Sequence, residues 1–266
     1  MPYKGGFFVE QKGYWRSAWG EVKDLRRLVF AALVCALGII VGGFYVSVGE
    51  NLRVYFTFFI TAVGCAVYGP VLGVLAAAVT DTLNYMLFPS GAYFPGYLLS
   101  EMLAAVIYSL FLYRKKITVF RLFGAKFLVN YVVNVGMGSL WSQILFGKGY
   151  LYYLVKSLIK NSLLLPLEVM LLAALFSVLL PVFSRMGLLP GHDKRDLEKL
   201  SISSSAFVVF GLDCLIGAGC SAYYSATVSS GTAVFQGLGI GLAAMGVVLL
   251  VLGPVLRHRR SRAHIE

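Results

Sequence analysis

Residues 69–113 read GPVLGVLAAAVTDTLNYMLFPSGAYFPGYLLSEMLAAVIYSLFLY, and the fold of the whole chain follows from this stretch. Two apolar helices are joined by an aromatic turn with a proline near each end, Pro89-Ser-Gly-Ala-Tyr-Phe-Pro-Gly96. In the first helix Gly69, Gly73, Ala77 and Asp81 recur every four residues and so share one face. Small residues at that spacing let a neighbouring helix approach closely in lipid. The same face ends in a carboxylate, which is costly in a bilayer without a partner or water. A packing seam with a satisfied Asp81 at its edge is the simplest account. A binding cavity roofed by the aromatic turn is the sharper one.

Composition extends this reading to the whole chain. Hydrophobic residues make up 59% of the 266 residues and charged residues 13%, with a mean hydropathy of +0.80. Soluble domains carry about 25% charged residues. The chain is therefore expected to be an all-α integral membrane protein. Its apolar runs are long and continuous, without the alternation of a barrel strand.

Eight spans are expected, over 28–46, 54–69, 71–88, 97–113, 121–146, 151–183, 203–223 and 232–256. The second and third meet at Gly69-Pro70 and read as a bent pair. The sixth is longer than a straight crossing of roughly 20 residues requires.

Basic residues set the orientation. Of 23 Lys and Arg, six precede residue 28, five lie in 114–126, four in 185–199 and four in 257–262. Only Arg53, Lys148, Lys156 and Lys160 fall on the opposite side. By the positive-inside rule both termini are expected in the cytoplasm of a multi-pass protein of the cell membrane. The net charge of +11 is then mostly topology, with attraction to anionic lipid head groups behind it. The tail Arg257-His-Arg-Arg-Ser-Arg262 follows an apolar run directly, so it reads as a stop and anchor in the bilayer and no nucleic acid is expected as a partner.

The first 27 residues are polar and aromatic and show no cleavable signal peptide; they read as a cytoplasmic arm, partly amphipathic through Phe7, Phe8, Tyr14, Trp15 and Trp19. Cys35, Cys65, Cys214 and Cys220 form no C-x-x-C pair and sit inside spans as small packing residues. The histidines, His192, His258 and His264, all lie in the cytoplasmic loop and tail, which leaves none for an intramembrane dyad or metal site. Gly237-Leu-Gly-Ile-Gly241 follows no strand and is a helix-packing feature. Asp81, Glu101, Glu168 and Asp213 fall in different helices, with no shared carboxylate site. No cofactor and no enzymatic activity are expected.

A set of polar and aromatic residues remains on the extracellular half. Arg53 lies at the start of the second span, Tyr93 and Phe94 in the organising turn, and Trp141, Lys156, Lys160 and Asn161 around the turn into the sixth span. Rings that stack and cations that pair with carboxylates suit a planar, anionic ligand. An interfacial belt of Tyr, Trp, Lys and Arg explains each residue singly. Asn161 is the exception, because an amide beside an apolar run gains little at an interface and much in a pocket.

The order and spacing of these pieces resemble the substrate-binding (S) component of energy-coupling factor (ECF) vitamin transporters, folate family. The resemblance runs over about residues 25–190. It rests on P-x-G-x-x-F-P-G in the organising turn, Ile107-Tyr108 with Leu112-Tyr113, and Leu52-Arg-Val-Tyr-Phe56. Leu140-Trp141, Phe146-Gly-Lys148, Lys160-Asn161 and Leu165-Pro-Leu-Glu168 complete it. It implies a six-helix bundle that captures a folate-like vitamin from outside, served by a coupling transmembrane subunit and two ATPase subunits. Arg53, Phe56, Tyr93, Phe94, Trp141, Lys156 and Asn161 are the expected substrate contacts. Ala32, Ala36, Gly38 and Gly42 are the expected coupling surface. A membrane scaffold without a ligand, or an S component for another vitamin, is the alternative.

The expected organisation is thus an arm (1–27), the six-helix bundle (28–190), a charged linker (191–202), an additional transmembrane hairpin (203–256) and a basic tail (257–266). The hairpin departs from the family pattern. An accessory element, a dimerisation element and a modified coupling surface all fit its small residues.

Overall fold

A computed structural model describes residues 7–49, 52–89, 93–147, 149–189, 204–227, 236–237 and 239–251. The charged linker and the basic tail lie outside the described residues. The described chain is nearly all helical, and four of its helices are long and apolar enough to cross a membrane: Leu25–Gly42, Thr57–Leu87, Pro95–Leu112 and Leu164–Arg185. The protein is a multi-pass membrane protein. It divides into two compact units, Met1–Lys116 with Pro181–Asp196, and Ile117–Leu180 with Leu197–Glu266.

The first unit begins with α1 (Phe7–Glu21) and α2 (Leu25–Gly42). Asp24 caps α2, its carboxylate accepting the Arg26 N–H at 3.0 Å, which satisfies one of the donors that a helix start leaves open. The expected arm is thus helical, and its inner face is tied down. Tyr14 donates to the carbonyl of Ser109 at 2.9 Å, and burial pushes its phenol pKa up. Glu21 is buried and engaged by Arg27, by the Tyr113 hydroxyl and, at 3.6 Å, by Arg114.

Between α2 and the next helix the chain forms a short antiparallel hairpin, β1 (Tyr45–Gly49) and β2 (Leu52–Tyr55), with Tyr45 opposite Tyr55 and Ser47 opposite Arg53. Arg53 therefore sits in a strand ahead of the second span. The aromatic and β-branched residues either side of Gly49-Glu-Asn51 favour a pleated ribbon over another helical turn.

The expected bent pair is one element, α3 (Thr57–Leu87), broken at Gly69 with φ 76° and ψ −169°. Pro70 lacks the N–H that would continue the ladder, and its ring clashes with the carbonyl four residues back. Glycine is required for a second reason: a Cβ on Gly69 would stand 3.0 Å from the Tyr113 ring. α4 (Pro95–Leu112) starts with proline in its first turn, where the missing N–H costs nothing. α2 lies against α3, the Cys35 thiol donating to the carbonyl of Ala76 at 3.7 Å. Phe30 of α2 also meets Phe183 edge-on at 5.8 Å.

In the second unit α5 (Val119–Leu128), a π-helical segment (Val129–Met137) and α6 (Gly138–Phe146) follow one another without leaving helical backbone. α7 (Tyr150–Arg185) is 36 residues long, and its part up to Leu180 belongs to this unit. The hairpin region supplies α8 (Ser204–Thr227) and a short apolar helix, α9 (Gly239–Val251). Val119, Phe123, Leu165, Val169 and Phe210 form one buried cluster joining α5, α7 and α8.

Candidate polar site in the second unit

Lys126, Asn130 and Asn134 are spaced four apart along α5 and the π-helical segment, so they form one stripe. Ser157, Asn161 and Glu168 form the facing stripe on α7. The two stripes zip antiparallel. Lys126 Nζ lies 3.3 Å from Glu168 Oε2, and Asn130 Nδ2 donates to the same oxygen at 2.8 Å. Asn134 Nδ2 donates to Asn130 Oδ1 at 3.1 Å and to Asn161 Oδ1 at 3.4 Å. Asn161 Nδ2 in turn donates to the Ser157 carbonyl at 2.8 Å and to Ser157 Oγ at 3.2 Å. Ser157 closes the circuit by donating to the Asn134 carbonyl at 3.2 Å.

Burial grades along this ladder. Lys126, Asn130, Asn161 and Glu168 are buried, whereas Asn134 is exposed. Both amide protons of Asn134 are used within the ladder, which leaves its Oδ1 as an open acceptor at the exposed end. Asn161 has its amide fully occupied, so it fixes where that acceptor points. In an apolar surrounding each such bond matters, because an unmade one costs about 1–3 kcal/mol.

The residues expected from sequence fall into two groups. Trp141 and Lys156 belong to the second unit with Asn161, and both are half-buried. Arg53, Phe56, Tyr93 and Phe94 belong to the first unit. Arg53 contributes backbone pairing in β2. Phe56 is half-buried at the start of α3, its ring parallel to Phe59 at 6.4 Å. Tyr93 is exposed with its ring 5.0 Å from Tyr85, and Phe94 meets Tyr97 edge-on at 5.9 Å. Asp81 is half-buried near the end of α3.

On α2 the small residues divide between two faces. Ala32 and Ala36 are exposed, in an apolar surface with Val29, Leu33 and Ile40. Gly38 and Gly42 instead face α3: a Cβ at Gly38 would stand 2.9 Å from Thr80, and one at Gly42 would stand 2.5 Å from Asn84.

Asn130, Asn134, Ser157 and Lys126 were not expected at this site. Their signal was present as two sets of polar residues on helical spacing inside apolar runs, K-x-x-x-N-x-x-x-N and S-x-x-x-N. Lys126, one of the five basic residues in 114–126, is buried against Glu168.

Comparison with known proteins gives this arrangement a context. The sequence pattern of the family described as ECF transporter, substrate-specific component, matches residues 26–191. A folate transporter FolT of Clostridium novyi (strain NT) is 34% identical over 147 residues, which are 55% of this chain and 86% of the relative. A second folate transporter FolT, from Leuconostoc mesenteroides subsp. mesenteroides, is 29% identical over 153 residues, 55% of this chain and 82% of the relative. A solved structure described as the crystal structure of FolT bound with folic acid is similar with a TM-score of 0.53 and 27% identity, covering 57% of this chain and 93% of that one. α8 and α9 lie beyond the residues that the family pattern matches. With more than half of its length inside that pattern, the chain belongs to the family of substrate-specific components of ECF transporters.

Proposed function

We propose that this chain captures folate, or a closely related pterin, and serves its uptake as the S component of an ECF-type transporter, with catalysis of ATP hydrolysis left to separate subunits. The observation that carries this reading is the similarity to a folate transporter over 86% of that relative's length. The polar ladder adds a chemical reason. An open amide oxygen on Asn134, held by buried Asn130 and Asn161, suits the N–H edge of a flat heterocycle.

Within the same reading Trp141 and Lys156 supply a ring face and a cation, and Asn161 acts by orienting Asn134. Arg53 meets the ligand's carboxylates, and Phe56, Tyr93 and Phe94 add apolar contact. The exposed Ala32/Ala36 surface of α2 takes a helix of the coupling subunit, since small residues permit close backbone approach. Both termini face the cytoplasm in this reading, which the distribution of Lys and Arg supports.

Uptake of labelled folate into proteoliposomes tests this assembly. The chain is reconstituted with a coupling subunit and two ATPases, and ATP is placed on the ATPase side. ATP-dependent accumulation is expected; accumulation of another vitamin in place of folate would overturn the substrate assignment.

A further inference from the structure

The ladder residues Asn130 and Asn161 each have a neighbour in sequence about 100° further round its helix. Those neighbours, Tyr131 and Ser162, meet each other, the two hydroxyl oxygens lying 2.7 Å apart. Tyr131 also donates to Asp213 Oδ1 of α8 at 3.4 Å. Tyr131 has a single proton, so when it goes to Asp213 the Ser162 hydroxyl must donate to Tyr131. The three groups then form a directed chain from α7 through the π-helical segment to α8. Asp213 is 2% exposed, and its Oδ2 has no hydrogen-bond partner among the described residues.

The rest of the α8 face is built to hold this contact. Phe210, one turn before Asp213, packs edge-on against Phe123 at 5.1 Å. Gly217, one turn after it, lets α8 approach α7 so closely that a Cβ there would stand 3.4 Å from the Ser162 carbonyl oxygen and 3.3 Å from Leu242 of α9. That carbonyl lacks its usual donor four residues on, because position 166 is proline. Gly246 of α9 backs the same turn, with a Cβ there falling 3.2 Å from Cys214 and 2.9 Å from the Gly211 carbonyl. A buried, half-satisfied carboxyl is an expensive way to pack two helices, since an apolar residue would do so without the desolvation cost. Its presence beside the ladder calls for a role.

We propose that Asp213 is a positioning residue for the ligand site: through Tyr131 and Ser162 it clamps the π-helical segment to α7, and so holds Asn134 and Asn161 in register. The C-terminal hairpin, which the family pattern does not include, is then part of the binding apparatus. This inference rests on the folate reading. It involves no transfer of charge or group.

Folate binding by the purified full chain, measured with the melting temperature of each variant, tests it. Asp213→Leu keeps the branched outline, adds some bulk and removes the acceptor; about tenfold weaker folate binding is expected, through faster release. Asp213→Asn keeps both the size of the side chain and an acceptor for Tyr131 and should hold affinity within about twofold of the wild type. Should Asp213→Leu fail to fold, Tyr131→Phe removes one oxygen only and should weaken binding in the same direction. Wild-type affinity in Asp213→Leu or in Tyr131→Phe would overturn the positioning role, whatever happens to the melting temperature. Absence of folate binding by the wild type would instead defeat the folate reading itself.

Discussion

Lys126 of α5 and Glu168 of α7 face each other at 3.3 Å with both side chains buried, and Asn130 shares the same carboxylate oxygen. A buried pair of this kind is strongly destabilised when one partner is removed, because the survivor is left charged in an apolar setting. Glu168→Leu is expected to cost about 3–5 kcal/mol, read as a large fall in melting temperature in detergent. Lys126→Met combined with Glu168→Leu should recover much of that loss. A double variant no more stable than Glu168→Leu would mean that the pair does not act as a unit.

The break in α3 gives a second expectation. Gly69 occupies φ 76°, ψ −169°, a region essentially restricted to glycine. Gly69→Ala would both strain the backbone, by roughly 1–3 kcal/mol, and press a methyl against the Tyr113 ring. The melting temperature of the Gly69→Ala chain should drop. An unchanged melting temperature in Gly69→Ala would refute the requirement.

Much of this was legible beforehand. Continuous apolar runs foretold the helices, and Gly69-Pro70 foretold the break in α3, because proline chemistry acts locally. Asn130 and Asn134 went unrecognised for the opposite reason. Each is a single polar residue in an apolar run, and only the antiparallel approach of α7 joins six such residues into a ladder. The β1–β2 hairpin was hidden because its strands are only five and four residues long and their outer ends run into the apolar stretches 28–46 and 54–69. Glu21 likewise gave no local sign that it would be held by Arg27, Tyr113 and Arg114, since those partners are assembled by the docking of α1.

That docking predicts protection of the arm. Glu21→Ala removes the acceptor shared by two arginines and a tyrosine and should loosen α1. Limited trypsin digestion of inside-out vesicles should then cut at Arg16 and Lys23 severalfold faster than in the wild type. Equal rates would show that α1 is held by its Tyr14 and Ala18 contacts alone.

Coupling and binding should separate on α2. Ala32→Trp with Ala36→Trp fills the exposed small-residue surface and leaves every ladder residue unchanged. ATP-dependent uptake should be abolished while folate binding by the isolated chain stays within about twofold of the wild type. Gly38→Trp is expected to damage stability instead, because Thr80 occupies the space beside it. Loss of binding in the Ala32→Trp, Ala36→Trp chain would place that surface inside the binding apparatus.

The most direct measurement is a calorimetric titration of the purified chain with folate, alongside riboflavin, thiamine and biotin at the same concentrations. The account predicts one folate per chain with nanomolar affinity, about 12 kcal/mol of binding free energy, and no heat from the other three. Asn134→Ala should weaken it by about tenfold or more, the scale of one lost buried hydrogen bond. A chain that ignores folate, or binds one of the other vitamins in its place, would contradict the account.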